Sequence, residues 1–258
     1  MQKFPIYIPS KGRAERSRTV EELEKGNCTD YFIVVEPQDY EAYSEAHHEK
    51  NLLCLDKNDE GIYYVRNFIL QHALNNGYEY VWQVDDDLQF ARHSKNSKPI
   101  LKPIHPTEAF IEIEQVVEKF SNIGVAGVRD STYAWSQPER ISINKQASGC
   151  WLIKTDTGCK FRKDIIEDTD FNMQILVAGY CTLNFNRLVY VNPPTGTVEG
   201  GNSNVNFLLQ QKNLVKAWHG CFTLKYNRIG TVHTENLSSR IAPSRIWSKF
   251  PQRPKRKV

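Results

Sequence analysis

The sequence predicts an α/β fold, a mostly parallel central sheet with helices on both faces. Two observations carry this. Short apolar runs alternate with segments of helical periodicity along the first half of the 258-residue chain, at spacings that suit strand–helix–strand units. Polar and charged residues gather where the apolar runs end, and ligands of such sheets bind at the carboxyl ends of the strands. A third observation singles out one of those ends. The run Tyr78 to Val84 stops at three consecutive carboxylates, Asp85, Asp86 and Asp87.

In chain order, Phe4 to Ile8 reads as the first strand, broken at Pro9. Ser10-Lys11-Gly12-Arg13 follows, with Ser10 as the expected cap of a helix from Ala14 to Lys25. A strand, a basic glycine-containing loop and a helix start make a phosphate site, though not with P-loop glycine spacing. Tyr31 to Val35 is the second strand, ending at Glu36-Pro37, and Asp39 to His47 a helix. Leu52 to Leu55 is the third strand, ending at Asp56; Gly61 to Asn75 is a helix carrying Arg66 and Asn67. After the acidic strand, residues 88–106 read as a polar loop with Arg92, His93, Lys95, Lys98 and Lys102. A helix from Thr107 to Ser121, a strand from Gly124 to Val128 and an irregular stretch from Arg129 to Lys145 come next. Ala147 to Ile153 is a strand, Glu167-Asp168-Thr169-Asp170 leads a helix ending at Gly179, and Cys181 to Asn186 and Leu188 to Val191 are two strands. A glycine loop, Gly200-Gly201-Asn202, precedes a helix from Asn206 to Trp218 and a last strand, Ile229 to Val232, ending at His233.

Composition bounds the class. Apolar content of 40% and charge of 24% are those of a globular protein. No apolar run approaches the roughly 18 residues that cross a bilayer, and the N-terminus shows no signal-peptide pattern, so no membrane partner and a cytoplasmic location are expected. The six cysteines form no CxxC pair, which speaks against a zinc site or disulfide framework. The net charge of +3 is uneven: residues 240–258 carry seven basic residues and no acid, which leaves the first 239 at −4. A single domain over residues 1–239 and a basic tail over 240–258 are expected, the tail being suited to a polyanion or to a solvated end.

Adjacent carboxylates at a strand mouth repel one another unless a cation sits among them. In an extended chain Asp85 and Asp87 point the same way. Their hard oxygens suit Mg²⁺ or Mn²⁺, with a diphosphate filling the open positions.

The opening Phe4-Pro5-Ile6-Tyr7-Ile8-Pro9-Ser10-Lys11-Gly12-Arg13, with Arg66-Asn67, Gln83-Val84-Asp85-Asp86-Asp87 and Glu167-Asp168-Thr169-Asp170, resembles the TET-associated glycosyltransferase family over roughly residues 4–235. Members are mostly phage enzymes that place sugars on 5-hydroxymethylated pyrimidines in DNA. The resemblance implies a GT-A nucleotide-sugar-binding, Rossmann-like fold, a UDP-sugar donor, Mn²⁺ or Mg²⁺, and 5-hydroxymethylcytosine DNA as acceptor in a phage-infected host's cytoplasm. It implies Ser10, Lys11 and Arg13 at the diphosphate, Glu36 near the base, and Asp56 and Arg66 on the nucleotide and sugar-phosphate side. Asp85 and Asp87 hold the metal in this reading, with Asp86 reaching the ribose or sugar. His233 completes the metal shell, with His219 its rival. Asp168, with Asp170 second, is the expected general base of an inverting transfer. On the acceptor side, Arg92, Lys95, Lys98, Lys102 and the tail would hold phosphates, and Tyr133 and Trp135 would stack on a base. Against this stand a glycosyltransferase of the same fold acting on a glycan, lipid or small molecule, a non-catalytic DNA-binding module, and a nucleotidyltransferase.

Overall fold

The computed structural model describes residues 2–94, 100–134, 137–192, 207–226, 239–241 and 252–257. The first half of the chain follows the expected alternation. Strand β1 (Ile6–Pro9) leads to helix α1 (Arg18–Lys25), β2 (Tyr31–Val35) to α2 (Tyr40–Ala46), and β3 (Leu52–Cys54) to α3 (Ile62–Asn75) and β4 (Tyr80–Val84). These four strands lie parallel in the order β3-β2-β1-β4. Helix α1 starts later than expected. Its cap is Ser17, whose hydroxyl accepts from Val20 N at 3.4 Å, and Ser10 is engaged elsewhere.

The second half is antiparallel-rich. Strands β5 (Gln89–His93) and β6 (Leu101–Pro103) stand where a loop was expected. Then come α4 (Pro106–Val117), β7 (Ile123–Asp130), α5 (Ser131–Ala134), β8 (Ile141–Ile143) and β9 (Cys150–Lys154). Helix α6 (Glu167–Val177), β10 (Cys181–Val191), α7 (Phe207–Ala217) and an antiparallel pair of β11 (Leu224–Tyr226) with β12 (Ser239–Ile241) follow. The main sheet continues β4-β9-β7-β10-β5-β6, with β8 pairing β10. Strand β9 runs against both β4 and β7, so β7 and β10 share the direction of β4. The sheet is therefore mixed, its parallel half being the N-terminal one. Strand β10 is one strand where two were read, with a register shift between Phe185 and Val189. The expected strand Ile229 to Val232 lies outside the described residues.

Strand alternation sorts the core into two layers. Ile6, Ile8, Ile33, Trp82 and Val84 face one way, onto Val20, Leu23, Phe110 and Ile113. Tyr7, Val34, Val81 and Trp151 face the other, onto Ile69, Phe171 and Ile175. Trp82 stacks on Phe110 with ring centroids 4.3 Å apart. No helix among the described residues is long and apolar enough to cross a membrane, and the six cysteines are free thiols.

Candidate functional site

All four parallel strands end at one edge of the sheet, and the expected donor-side residues meet there. Pro9 ends β1 and hands Ser10 to two buried partners: its hydroxyl lies 2.7 Å from Tyr43 Oη and donates to Asp86 Oδ2 at 2.5 Å. Arg13 donates to Asp86 Oδ1 at 2.5 Å and to Asp87 Oδ2 at 3.4 Å. The backbone of the triplet is bonded to the start of α1 as well. Asp86 O accepts from Ser17 Oγ at 3.1 Å and Thr19 N at 3.2 Å, and Asp85 O from Thr19 Oγ1 at 2.5 Å. Asp86 was expected to reach the ribose or sugar; instead it is 6% exposed, with both carboxylate oxygens taken by Ser10 and Arg13. Burial raises its pKa, partly offset by the Ser10 hydrogen bond and Arg13. It ties the first loop to the fourth strand.

Lys11 bridges Glu36 at 2.7 Å and Asp59 at 2.5 Å, across the ends of β2 and β3. Glu36 is buried and also accepts from Gln38 at 2.6 Å. Asp56 is exposed and accepts from the Tyr64 hydroxyl. Gly12, in the Lys11–Arg13 turn, has φ +64°, where a side chain is strained.

Asp85 and Asp87 remain partly exposed just beyond β4, where the chain turns at Asp86-Asp87 instead of staying extended as expected. Burial first, then the charge of Asp85, raises the Asp87 pKa. Arg66 reaches Asp85 from beneath, donating to Oδ1 at 2.9 Å. Position 66 falls on the buried stripe of α3 with Val65, Ile69 and Leu70, so the arginine is 4% exposed and touches no open surface. Its guanidinium sits 5.2 Å from the Trp151 ring centroid and 5.8 Å from that of Phe161. It donates to Gln83 Oε1 at 3.4 Å, while Nε, buried without a hydrogen-bond partner, lies 4.0 Å from Glu167 Oε1. Arg66, expected beside the sugar phosphate, is instead the buried counter-charge of two carboxylates on different elements.

Helix α6 supplies the second acidic cluster, with Glu167, Asp168 and Asp170 in its first turn. Burial, then Asp168, pushes Glu167 up to about 7, against the pull of Arg66. Burial likewise raises Asp168, moderated by the Thr169 N–H and by Gln146, which donates to Oδ2 at 2.8 Å. Asp170 does not join them. It is fully buried on the far side of the helix, held by Arg162, by Gln174 at 2.9 Å and by Trp218 Nε1 at 2.7 Å. The second candidate base is thus a structural anion.

Several residues of the site carry no motif. Asn172 bonds both Ala147 N (3.1 Å) and Ala147 O (2.8 Å), fixing the segment ahead of β9 on α6. That segment delivers Gly149 O to Asp85 N at 2.8 Å. Gly149 has φ +69°, and an added Cβ would lie 2.8 Å from the Tyr190 ring, so glycine alone fits. Tyr190 Oη lies 3.4 Å from Ser148 Oγ at the same edge.

Acceptor-side expectations divide. Tyr133 follows β7 at this edge, is 58% exposed, and has the Arg129 guanidinium 5.6 Å over its ring. Arg92 lies in β5 and is paired with Glu112 at 2.9 Å. Lys102 is exposed in β6. Lys95, Lys98, Trp135, Gly200-Gly201-Asn202 and His233 lie outside the described residues. His219 is exposed beyond α7, beside the Trp218 that serves Asp170. Among the described residues no group of three or more His, Cys, Asp or Glu side chains is gathered as a metal site.

Fold and site gather the polar machinery at one edge of a mixed α/β sheet. The chain belongs to the TET-associated glycosyltransferase family, whose model matches residues 4–201. No curated protein matches it. Among solved structures it is similar to A197 from STIV, at 15% identity and TM-score 0.45, over 74% of this chain and 86% of that one. A protein of Desulfovibrio desulfuricans G20 assigned as a nucleotide-diphospho-sugar transferase matches at 10% identity and 0.44, over 71% and 80%. GalNAc-T7 with UDP, GalNAc and Mn²⁺ matches at 10% and 0.40, over 74% and 44%. Scores this low leave the family match to decide the class: the protein is a glycosyltransferase.

Proposed function

We propose that this glycosyltransferase moves a sugar from a UDP-sugar to 5-hydroxymethylcytosine in DNA, with Mn²⁺ or Mg²⁺ bound. The observation that carries the proposal is the meeting, at one sheet edge, of the Ser10–Arg13 loop, the Asp85/Asp87 pair and the Glu167–Asp168 pair.

The donor set suits such a metal. Asp85 keeps one oxygen on Arg66 and offers the other, Asp87 lies beside it, and both are hard oxygen ligands. Asp85 and Asp87 would hold the ion, which when bound neutralises the leaving diphosphate. The protein's own residues do the rest. Arg13 sits where a phosphate would draw it from Asp87, and Lys11 marks the nucleotide side between Glu36 and Asp59. Arg66 holds Asp85 in place and keeps the approach of Glu167 to it tolerable. Asp168, oriented by Gln146 and Thr169, takes the acceptor hydroxyl proton in an inverting transfer. Its neighbour Glu167, near neutral at about 7, shares that proton's environment. Tyr133 supplies an exposed ring for a base turned out of its stack.

One observation favours a second reading, a small or glycan acceptor. Residues 252–257, the described part of the tail's end, lie at the opposite edge of the sheet and do not reach the carboxylates.

Intact mass of nucleosides from hydroxymethylcytosine DNA, incubated with the protein, Mn²⁺ and a panel of UDP-sugars, tests both. A gain of one hexose or pentose is expected. Metal-dependent UDP-sugar hydrolysis without any gain would reject the DNA acceptor and keep the class.

A further inference from the structure

The basic tail singled out in the sequence has no part in the site just described, and its course in the fold explains why. Its described end is fastened along the edge of the sheet opposite the carboxylates. Lys255 O accepts from Ser121 N at 2.8 Å, Lys255 N donates to Asn122 Oδ1 at 2.7 Å, and Asn122 Nδ2 donates to Arg253 O at 2.9 Å. Asn144 holds Gln252 O at 2.8 Å, Lys257 N donates to Lys119 O at 3.0 Å, and Arg256 bridges Phe120. Residues 119–122 lead into the start of β7, level with Glu79 before β4. Six residues of extended chain from Glu79 to Asp85 set the two edges about 20 Å apart.

Every one of these bonds uses the tail's main chain. The side chains of Arg253, Lys255 and Arg256 are left exposed, beside the exposed Lys119, and none of the four has an ion-pair partner among the described residues. Three acids of this edge are already paired: Glu79 and Asp156 with Lys154, Glu79 also with Lys257, and Glu118 with Lys3. Three uncompensated cations on a fixed strand and a fourth, Lys119, beside it, in a chain whose first 239 residues sum to −4, form a surface for a polyanion.

We propose that Lys119, Arg253, Lys255 and Arg256 hold the phosphate backbone of duplex DNA at a second contact, remote from the transfer site. The proposal rests on the DNA reading above. The stretch bound here is a different one from the stretch being modified, so the contact tethers the enzyme without selecting the target base.

The test is binding of an unmodified 40-base-pair duplex at stepped salt concentrations by the full-length protein and by R253Q/K255Q/R256Q. Three lost phosphate contacts reduce the slope of log K against log salt by about 2–3 and weaken binding at least ~10-fold at low salt. UDP-sugar hydrolysis stays at the parental rate. The charge-keeping variant R253K/K255R/R256K retains parental affinity, which separates charge from folding. Unchanged affinity and slope in the glutamine variant, with transfer onto DNA intact, would overturn the second contact alone. Sugar transfer onto a small acceptor, by a protein that ignores duplex DNA, would overturn the DNA reading together with it.

Discussion

The two edges of the sheet solve the problem of crowded charge in opposite ways. At the carboxylate edge, position is set by side chains: Arg13 and Arg66 are drawn under the acids, and Ser10, Tyr43 and Gln83 complete the bonding. At the opposite edge, position is set by main-chain bonds and the cations face water. A buried counter-charge cannot be removed without exposing its partners to an uncompensated field, whereas an exposed cation held by its backbone can. Substitutions at the first edge should therefore disturb folding and chemistry together, except at the few groups that are partly exposed.

Asp87→Ala is the sharpest such exception. It removes a partly exposed carboxylate whose ionisation burial opposes. Transfer and UDP-sugar hydrolysis should both fall at least ~100-fold, with an unchanged melting temperature; full activity would break the assignment of this edge as catalytic. Arg66→Met tests the opposite kind of residue. Leaving Asp85 and Glu167 without their shared cation should cost about 3–5 kcal/mol in urea unfolding, and activity should fall with it; a variant as stable as the parent would show that Arg66 is not the link. Asp170→Asn separates neighbours on one helix. It should destabilise by about 1–3 kcal/mol while kcat per folded molecule is kept, and a large loss in kcat at full stability would return Asp170 to the candidate bases.

The smallest effect is the titration of Glu167. Its folded pKa is raised to about 7 from 4.5, so the native state holds the proton more tightly than the unfolded chain. The stability this confers is present at acid pH and lost as pH rises through about 7. Glu167→Gln should accordingly raise Tm at pH 8 by about 2–4 °C and leave it nearly unchanged at pH 4. An equal shift at both pH values would mean that the glutamate is not protonated in the native protein at acid pH.

The same division between halves governs how much could be read from the sequence. β1 to β4 were legible because each is an apolar run stopped by proline or an acid, and their chain order places Ser10–Arg13, Glu36, Asp56 and Asp85–Asp87 at one edge. β5 and β6 were hidden. Phe90 and Ala91 are too brief a signal beside Arg92 and His93; β5 exists because β10 offers a partner about a hundred residues later, and β6 because β5 does. Arg187 interrupts an apolar run, which suggested two strands where a register shift absorbs the break. Gln146 and Tyr190 escaped notice because their roles follow from the antiparallel insertion of β9, and Gly149, whose backbone could have been read as open to a substrate, is packed on Tyr190 and bonded to Asp85 N for the same reason. One signal was available and unused: Asp168 and Asp170, two positions apart on a helix, lie about 200° apart around its axis and cannot both face one site.

That insertion also has a consequence in time. Because β9 lies between β4 and β7, and β5 must wait for β10, the emerging chain cannot finish its sheet in the order in which it is made. The first four strands can assemble early, yet Asp85 has no Gly149 to bond until some sixty residues more have been synthesised. The tail strand is fastened last of all. Such long-range closures are entropically expensive and slow. A nascent protein therefore passes through a half-sheet with an exposed β4 edge, in which Arg13 and Arg66 already hold the three carboxylates but Gly149, Glu167 and Asp168 have yet to join them.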